Sequence, residues 1–470
     1  VPAPRLWSPA DPFLYNLTIA MNNGSEMVDS VESYFGMRNI SRVLVGSQYK
    51  LFLNGQFSFQ FGPLDQGFWP DGIYTAPTDE ALRWDIEQTK DFGFNMTRKH
   101  VKVEPDRWYY WCDKMGLLVW QDMPSGDNGD AEARANFEHE LQRMIECRRN
   151  HPSIVTWIVF NEGWGQHDTI RLTQLVKQLD PSRLVSCASG WNDFEVGDVR
   201  DSHSYPSPSC PPSTTRIMVN GEFGGIGWRI DGHYWTAASW GYVSVASQAA
   251  FMSLYTGYAA QVKDLAESEG LSAAVYTQLT DVEMEVNGLI TYDRRVIKPD
   301  MVQIRGANQF SITPVSYRAV VNSSQLAGQS WNFTTATPGA GWYGLSFDDA
   351  GWSTSSGGFG TAFTPGSAVR TTWDSSDIWL RKHFNPGLLN STQVSNLVFR
   401  LHHDEDVQVY MNGVLAYSAT GYTTTYMNVN MNQAGKDAII AGGDNVIAVH
   451  CHQTGGGQYI DVGIYERIAG

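Results

Sequence analysis

The chain lacks any apolar run approaching the roughly 18 residues that a membrane-spanning helix needs. It also lacks a lysine- and arginine-rich segment, and its 470 residues carry a formal net charge of -16. Because an acidic surface repels nucleic-acid phosphates, we expect neither a membrane nor a nucleic acid as a partner. Its 5 cysteines are too few for a disulfide scaffold, and no CxxC or HExxH spacing predicts a metal site. Cys112 and Cys147 lie on predicted neighbouring helices, so a bridge between them is one option.

Aromatic residues and glycosylation sequons are, by contrast, abundant. The chain has 17 Trp and 21 Tyr, whose faces can stack on sugar rings, although tryptophan is also common in protein cores. Seven Asn-X-Ser/Thr sequons favour a secreted, extracellular glycoprotein. The candidate glycosylation sites are Asn16, Asn23, Asn39, Asn95, Asn322, Asn332 and Asn390.

Changes in pattern along the chain divide it into three regions. Residues 1–45 alternate as a few β-strands, which are too few to close a sandwich. Residues 46–305 alternate between apolar strands and amphipathic helices, a pattern typical of an α/β domain. Residues 325–470 lose helical periodicity and carry short alternating runs that predict a jelly-roll β-sandwich. The predicted fold class is therefore multidomain, with α/β and β parts.

The middle region contains eight strand candidates, and its length suits a (β/α)8 TIM barrel of about 250 residues. The run SIVTWIVF at 153–160 is continuously apolar, as parallel strands buried on both faces require. The other candidates lie at 57–63, 95–101, 116–121, 183–188, 201–205, 216–222 and 273–279. Helices are predicted over 78–92, 106–114 and 131–148 and after the fourth strand, whereas helices after strands five and six are poorly marked.

Two of these strand candidates end in a glutamate that is flanked by glycine. Glu162 follows the fourth strand in an Asn-Glu-Gly sequence, and Glu222 follows the seventh in Gly-Glu-Phe. Strands four and seven face each other across a TIM-barrel mouth, where catalytic groups lie, so the two carboxyl groups can converge. Such a pair, about 5–5.5 Å apart, is what retaining hydrolysis of a glycosidic bond requires. We expect Trp164 and Phe223 to supply the apolar surroundings that separate the two pKa values.

The segments around both glutamates resemble glycoside hydrolase family 2, which includes β-galactosidases, β-glucuronidases and β-mannosidases. The resemblance covers nearly all of residues 1–300. LWSPADPFLYNLTI and YFGMRNI resemble the end of the immunoglobulin-like domain that precedes the barrel in this family. NHPSIVTWIVFNEGWG resembles the acid/base segment, and VNGEFGG resembles the nucleophile segment. The resemblance implies a carbohydrate substrate and no cofactor, since two carboxyl groups suffice. Some β-galactosidases of the family place a divalent cation near the acid/base, but this sequence shows no convincing ligand set, so we expect no metal.

Carried over to this sequence, the resemblance implies a role for five residues. Glu162 would be the general acid/base and Glu222 the nucleophile. Asn161 would hydrogen-bond the 2-hydroxyl of the sugar, Tyr205 would hydrogen-bond the nucleophile, and His100 would contact the sugar.

Other contacts with the sugar stay open. Trp164 and Trp69 are candidate stacking platforms, although each is equally suited to packing. Lys99 and Lys102 are candidates for binding a uronic acid carboxylate, with a solvated surface position as the alternative.

The sequence departs from the family pattern in three places. Only the last strands of the immunoglobulin-like domain occur, in residues 1–45, which implies an upstream domain or a second chain to complete it. The eighth strand lacks the tryptophan that many members have there. The region 325–470 resembles a galactose-binding-like jelly roll, which could bind substrate or brace the barrel.

The leading hypothesis is an exo-acting, retaining β-glycosidase. A β-galactosidase is the first expectation because it is frequent in the family, and a uronic-acid glycosidase is the second. The alternative is a non-catalytic carbohydrate-binding or extracellular structural protein on a glycosidase scaffold, because a fold does not imply a function.

Overall fold

The apolar runs of the middle region form parallel strands in the computed structural model, which describes residues 1–312, 315–362 and 364–469. The chain divides into two units, Val1–Pro314 and Val315–Gly470. The first unit contains β1 (Tyr15–Asn23), β2 (Glu26–Phe35), β3 (Ile40–Val45), β4 (Gln48–Leu53), β5 (Gln56–Phe57), β6 (Gln60–Asp65), α1 (Asp79–Asp91), β7 (Met96–Lys99), α2 (Asp106–Met115), β8 (Leu118–Asp122), α3 (Ala131–Arg148), β9 (Ile154–Ile158), α4 (Thr169–Leu179), β10 (Leu184–Ser186), β11 (Val199–Ser204), β12 (Ile217–Gly224), β13 (Ile226–Gly227), β14 (Val243–Ser244), α5 (Gln248–Ser268), β15 (Ala273–Thr277) and α6 (Met301–Asn308).

Eight of these strands form a nearly closed barrel. Parallel pairing runs in the order β10-β9-β8-β7-β6-β15-β12-β11, and β10 and β11 lie against each other. The barrel interior is filled by buried side chains such as Trp120, Val155 and Val275. All eight strand candidates are therefore present, and the predicted TIM barrel is confirmed.

The outer helices follow the amphipathic patterns of the sequence. α1 begins after Thr78, whose side chain accepts the backbone N–H of Ala81, and α3 has the predicted bounds. Between β10 and β11, and between β11 and β12, the described residues contain no helix, which agrees with the weak pattern there. None of the described helices has the length and apolar character needed to cross a bilayer.

The amino-terminal face of the barrel is covered by the chain that precedes it. Trp7 is fully buried and its indole N–H donates to the carbonyl of Asp113 at 2.7 Å. β3 pairs antiparallel with β4, and β4 pairs with β12. The boundary predicted at residues 45 and 46 therefore falls inside a hairpin, and Ile40–Val45 belongs with the barrel sheet.

β1 and β2 form a separate two-stranded antiparallel sheet. Its apolar side chains are largely exposed, including Ile19 at 58%, Met21 at 61% and Val31 at 54%. A two-stranded ribbon is only marginally stable by itself. Its membership of an immunoglobulin-like domain stays a prediction.

The second unit is a β-sandwich whose strands pair antiparallel except for β19 and β20. It contains β16 (Val315–Val321), β17 (Ser330–Thr334), β18 (Ser353–Ser356), β19 (Phe359–Gly360), β20 (Thr371–Thr372), β21 (Asp377–Phe384), α7 (Ser391–Ser395), β22 (Leu397–Asp404), β23 (Asp406–Met411), β24 (Val414–Ala419), β25 (Met427–Asn430), α8 (Gln433–Asp437), β26 (Asn445–His452) and β27 (Tyr459–Ala469). Two six-stranded sheets enclose one apolar core. The unit begins ten residues before the predicted residue 325, because β16 pairs with β27.

Two predictions about single residues fail in this fold. Cys112 is buried within α2 and Cys147 is exposed on α3, and both are free thiols, so the suggested bridge is absent. Asn95 is unsuited to glycosylation because its side chain accepts the N–H of Phe61 and donates to the carbonyl of Phe59. The candidate sites that are exposed are Asn16, Asn23, Asn39, Asn322 and Asn390, while Asn332 is half-buried.

Candidate active site

Glu162 and Glu222 converge at the carboxyl ends of the barrel strands. Glu222 lies near the end of β12, and Glu162 follows β9 with a φ of 51°, a left-handed conformation rare outside glycine. One carboxyl oxygen of each lies within 4.8 Å of the other. Their side chains are 22% and 8% exposed, respectively, so Glu162 faces the solvent more than Glu222.

A fully buried guanidinium, that of Arg98 at the end of β7, connects the polar groups of the mouth. It donates two hydrogen bonds to Asp122, at 3.0 and 2.9 Å. Its other contacts are the Glu222 carboxylate at 3.0 Å, the carbonyl of Gly221 at 3.1 Å and Oδ1 of Asn161 at 2.8 Å. These bonds connect β7 to residues at or after the ends of three other strands, β8, β9 and β12.

The environment of Glu222 favours its ionised form. Burial alone would raise the pKa of Glu222, but the charges of His203 and Arg98 outweigh burial and hold that pKa below its ordinary value. The Tyr205 hydroxyl donates to Glu222 Oε2 at 2.6 Å, which is the contact that the resemblance implies. Tyr205 in turn stacks on Tyr242, with 3.6 Å between ring centroids.

His203 lies between the two glutamates on β11. Its Nδ1 is 2.6 Å from Glu162 Oε1 and 3.6 Å from Glu222 Oε2. Its Nε2 is 2.8 Å from the hydroxyl of Ser189, which donates to Asp201 at 2.6 Å. Burial lowers the pKa of His203, but the charge of Glu222 and the hydrogen bond to Glu162 outweigh burial and raise it.

The glycine before Glu222 is required by close packing. A Cβ on Gly221 would lie 2.3 Å from Asp201 Oδ2 and 2.5 Å from the Ser189 hydroxyl oxygen. The backbone N–H of Gly221 instead donates to Asp201 Oδ1 at 2.6 Å. The Gly-Glu sequence therefore lets β12 approach the Ser189–Asp201 pair closely and fixes the position of Glu222.

The spacing of Glu162, His203 and Glu222 would also suit a metal ion. The guanidinium of Arg98 lies 3.0 Å from the Glu222 carboxylate, and its charge opposes a cation there. Since the nearest atoms of Glu162 and His203 also bond each other, we interpret the three as a hydrogen-bonded set and not as metal ligands.

The apolar residues expected to tune the two glutamates do not do so. Trp164 is 68% exposed, and Phe223 packs in a separate core against Phe61 and Tyr276. Charged neighbours replace them, since Arg98 and His203 set the pKa of Glu222. Trp164 remains accessible as a stacking platform.

Trp69 is only 6% exposed and lies under the guanidinium of Arg294, 3.9 Å from the ring centroid, so its role is packing.

Lys99 and Lys102 are neither solvated nor available to a substrate. Lys99 is 1% exposed and pairs with Asp65 at 2.6 Å and Glu104 at 2.9 Å. Lys102 is 6% exposed and bonds Glu104 and the carbonyl of Gly67. Both interpretations drawn from the sequence were wrong, because the two ammonium groups neutralise carboxylates inside the barrel wall.

The other predicted sugar contacts lie around the two glutamates. Asn161 is buried beside Arg98, and Nδ1 of His100 is 3.1 Å from Asp122 Oδ2. Their contacts with a sugar stay predictions.

The loop after β15 adds an acid to the mouth. Glu285 accepts hydrogen bonds from Gln278 at 2.8 Å and Asn287 at 3.2 Å. Burial raises the pKa of Glu285, and the charges of Glu222 and His100 also act on it. The eighth strand, which lacks the tryptophan of many family members, thus leads into an amide–carboxyl cluster.

Arg98, His203 and Glu285 were not identified from the sequence. Arg98 had a signal, because it lies at the carboxyl end of the second strand candidate. His203 had one too, since it precedes Tyr205 by two residues and alternate strand residues share a face. Glu285 lies in an irregular loop, whose conformation no local pattern predicts.

Two family models match the chain. Residues 75–205 match the glycosyl hydrolases family 2 TIM barrel domain, and residues 1–38 match glycosyl hydrolases family 2. These segments include Arg98, Glu162, His203 and Tyr205.

Individual relatives are similar over about half of the chain. A putative β-glucuronidase of Formosa agariphila is 28% identical over 251 residues, covering 51% of this chain and 23% of the relative. A β-galactosidase of Psychromonas ingrahamii is 29% identical over 235 residues, which cover 47% of this chain and 22% of the relative. The chain thus spans about a quarter of the length of these relatives.

Solved structures share the fold at low identity. An FMN-binding β-glucuronidase from Faecalibacterium prausnitzii (16% identity, TM-score 0.55) covers 92% of this chain, which covers 61% of that one. A family 2 β-galacturonidase from Eisenbergiella tayi bound to galacturonate is 20% identical, with a TM-score of 0.54. The match covers 66% of this chain and 60% of the β-galacturonidase chain.

Replacing Arg98 tests its central position. Arg98→Met leaves Asp122 and Glu222 buried without their cation. We therefore expect the free energy of unfolding at pH 7.5 to fall by about 3–5 kcal/mol. Both carboxyl groups have a lowered pKa in the folded protein. In wild type their stabilising effect is present above the unfolded pKa and is lost only as the pH falls through the lower folded pKa, so it persists at pH 5. In the variant, burial without the cation raises both pKa values, so both groups bind protons at pH 5 and the gap to wild type should narrow there. Urea unfolding at pH 7.5 and 5 measures it.

Arg83→Met is the matched control, because Arg83 is 50% exposed and pairs with Glu87 on the surface of α1. We expect it to cost at most about 1 kcal/mol. Equal losses for the two variants would contradict the assigned position of Arg98.

Proposed function

Because residues 1–38 and 75–205 match glycosyl hydrolases family 2, we propose that the chain is a retaining, exo-acting β-glycosidase. Glu222 is the nucleophile and Glu162 the general acid/base. The observation that carries this proposal is the approach of their carboxyl oxygens to within 4.8 Å. Retaining enzymes have carboxyl groups about 5–5.5 Å apart, whereas inverting enzymes leave about 6.5–9.5 Å for a water.

In the first step, Glu222 attacks the anomeric carbon while Glu162 protonates the departing glycosidic oxygen. The lowered pKa of Glu222 keeps that group ionised for the attack. Tyr205 and Arg98 each bond one of its oxygens and hold the carboxylate in place. In the second step, Glu162 removes a proton from water, which attacks the same carbon and releases Glu222.

Asn161 has a defined orientation for the sugar. Its Oδ1 accepts a hydrogen bond from Arg98, so the amide nitrogen is the end that offers donors. We assign this nitrogen to the 2-hydroxyl of the sugar, where a hydrogen bond strengthens in the transition state.

The charges around the mouth favour a neutral sugar such as a β-galactoside. The two lysines considered for a uronic acid carboxylate are paired within the barrel wall. Glu285 instead places a carboxyl group in the mouth, where Gln278 and Asn287 donate hydrogen bonds to it, as they would to a carboxylate. A negative charge at this position would repel a uronate. A uronic-acid glycosidase is the second candidate, favoured by the putative β-glucuronidase among the relatives.

The alternative, a non-catalytic carbohydrate-binding or structural protein, is opposed by the ordered pair of glutamates. A non-catalytic scaffold does not require two carboxyl groups that are held by three hydrogen-bonding partners, Arg98, His203 and Tyr205. We also propose that the protein is secreted, on the basis of the sequons at exposed asparagines.

Hydrolysis of p-nitrophenyl β-glycosides tests the activity. The panel contains the galactoside, glucuronide, galacturonide, mannoside and glucoside. We expect turnover of the galactoside, and we expect Glu222→Gln to abolish it by several orders of magnitude because no nucleophile remains. Glu140→Gln, a substitution of the same kind at an exposed position on α3, should retain activity. Turnover that survives Glu222→Gln would refute the assignment.

Glu285 is testable as the group that selects a neutral sugar. Glu285→Gln removes the negative charge but keeps the size of the side chain. We expect the ratio of kcat/KM for the galacturonide to that for the galactoside to rise about tenfold, or ~1.4 kcal/mol.

Glu283→Gln is the matched control for Glu285, since Glu283 is an exposed acid of the same loop. An equal rise for the control would mean that general surface charge, and not Glu285, disfavours the uronide.

A further inference from the structure

His203 is more closely packed into the candidate site than a residue that only borders the two glutamates. Its side chain is fully buried, and residue 203 pairs with Glu222 in the ladder between β11 and β12. Four charged or titratable groups face the ring: Glu162, Glu222, Asp201 and Arg98.

The contacts of Nε2 determine where one proton of the ring lies. The Ser189 hydroxyl is 2.6 Å from Asp201 Oδ2, and a carboxylate only accepts, so Ser189 donates to it. The oxygen of Ser189 must then accept a hydrogen bond from Nε2 of His203, 2.8 Å away. The other neighbour of Nε2, a nitrogen of Arg98 at 3.5 Å, is also a donor. Nε2 therefore carries a proton.

With Nε2 protonated, Nδ1 and Glu162 share the remaining site. Nδ1 lies 2.6 Å from Glu162 Oε1, so one proton lies between them. The pair is either a carboxylic acid with a neutral imidazole, or a carboxylate with an imidazolium ion. We propose that His203 and Glu162 hold one catalytic proton jointly, so that His203 keeps the acid/base loaded. This deepens the proposed glycosidase function and rests on it.

The proton balance follows the two steps of the reaction. In the first, the bond from the anomeric carbon to the leaving oxygen breaks, Glu222 bonds that carbon, and the shared proton goes to the leaving oxygen. The pair is then a carboxylate and a neutral imidazole. In the second, water bonds the carbon, Glu222 departs, and a proton of the water reloads the pair. His203 acts on the substrate only through Glu162, so it is a positioning residue.

The joint proton extends activity towards higher pH. The charge of Glu222 and the hydrogen bond to Glu162 outweigh burial and raise the pKa of His203, so the pair keeps its proton above the ordinary histidine value of about 6.5. Without the imidazole, no neighbouring base shares the proton of Glu162. The imidazolium also helps to keep Glu222 ionised.

The pH profile of kcat/KM for His203→Asn tests the proposal. We expect the basic limb to move at least about one pH unit lower and the acidic limb to move higher, which narrows the profile. At pH 8, kcat/KM should fall more than about tenfold for a glycoside with a poor leaving group. A dinitrophenyl glycoside, which leaves without a proton, should lose far less.

His139→Asn is the matched control, because His139 is exposed on α3. We expect it to keep the wild-type profile. A basic limb that stays in place in His203→Asn would overturn the proposal, because loss of ring packing alone lowers the rate without moving a limb.

A titration without substrate separates this proposal from the proposed function. The 15N shifts of His203, assigned by their loss in His203→Asn, should show Nε2 protonated throughout and Nδ1 titrating above pH 6.5. Glu162→Gln should lower that midpoint. A midpoint that Glu162→Gln leaves unchanged would refute the shared proton. If the titration shows this coupling but the protein hydrolyses no glycoside, the shared proton stands and the proposed glycosidase function is refuted.

Discussion

The buried guanidinium of Arg98 is the interaction on which the barrel mouth depends. It bonds Asp122, Glu222 and Asn161, which come from different strands. Taking an ion out of water costs several kcal/mol, so this arrangement persists only because each bonded acceptor offsets that cost. The bonds of Arg98 to Glu222 and to Asn161, the neighbour of Glu162, also keep the two glutamates at one separation. In glycosidases, this separation decides between retention and inversion.

Charge, rather than apolar burial, divides the roles of the two glutamates. Glu222 lies between Arg98, His203 and Tyr205, all of which stabilise its ionised form. Glu162 is more exposed and its partner is the imidazole of His203. In the proposed mechanism, Glu222 is thus prepared for attack, while Glu162 exchanges protons with the leaving group and water. The left-handed backbone conformation of Glu162, which costs about 1–3 kcal/mol of strain, directs its side chain towards His203.

The sequence predicts the barrel well because most of its strands are local apolar runs that alternate with local amphipathic helices. Glu162 and Glu222 were also predictable, since one follows a strand and the other lies near the end of a strand. Trp69, Lys99 and Lys102 were misjudged because their partners Arg294, Asp65 and Glu104 depend on tertiary contacts. The β3–β4 hairpin was divided because its pairing with β12 bridges about 170 residues, which no local pattern reveals.

The configuration of the first sugar released tests the central claim most directly. Proton NMR of the anomeric signal, recorded during rapid hydrolysis of an aryl β-glycoside that the protein accepts, distinguishes the two outcomes before mutarotation mixes them. The separation of Glu162 and Glu222 predicts that the β-anomer appears first, through a covalent intermediate on Glu222. Initial release of the α-anomer would mean that a water attacks directly, and it would contradict the assigned roles of both glutamates.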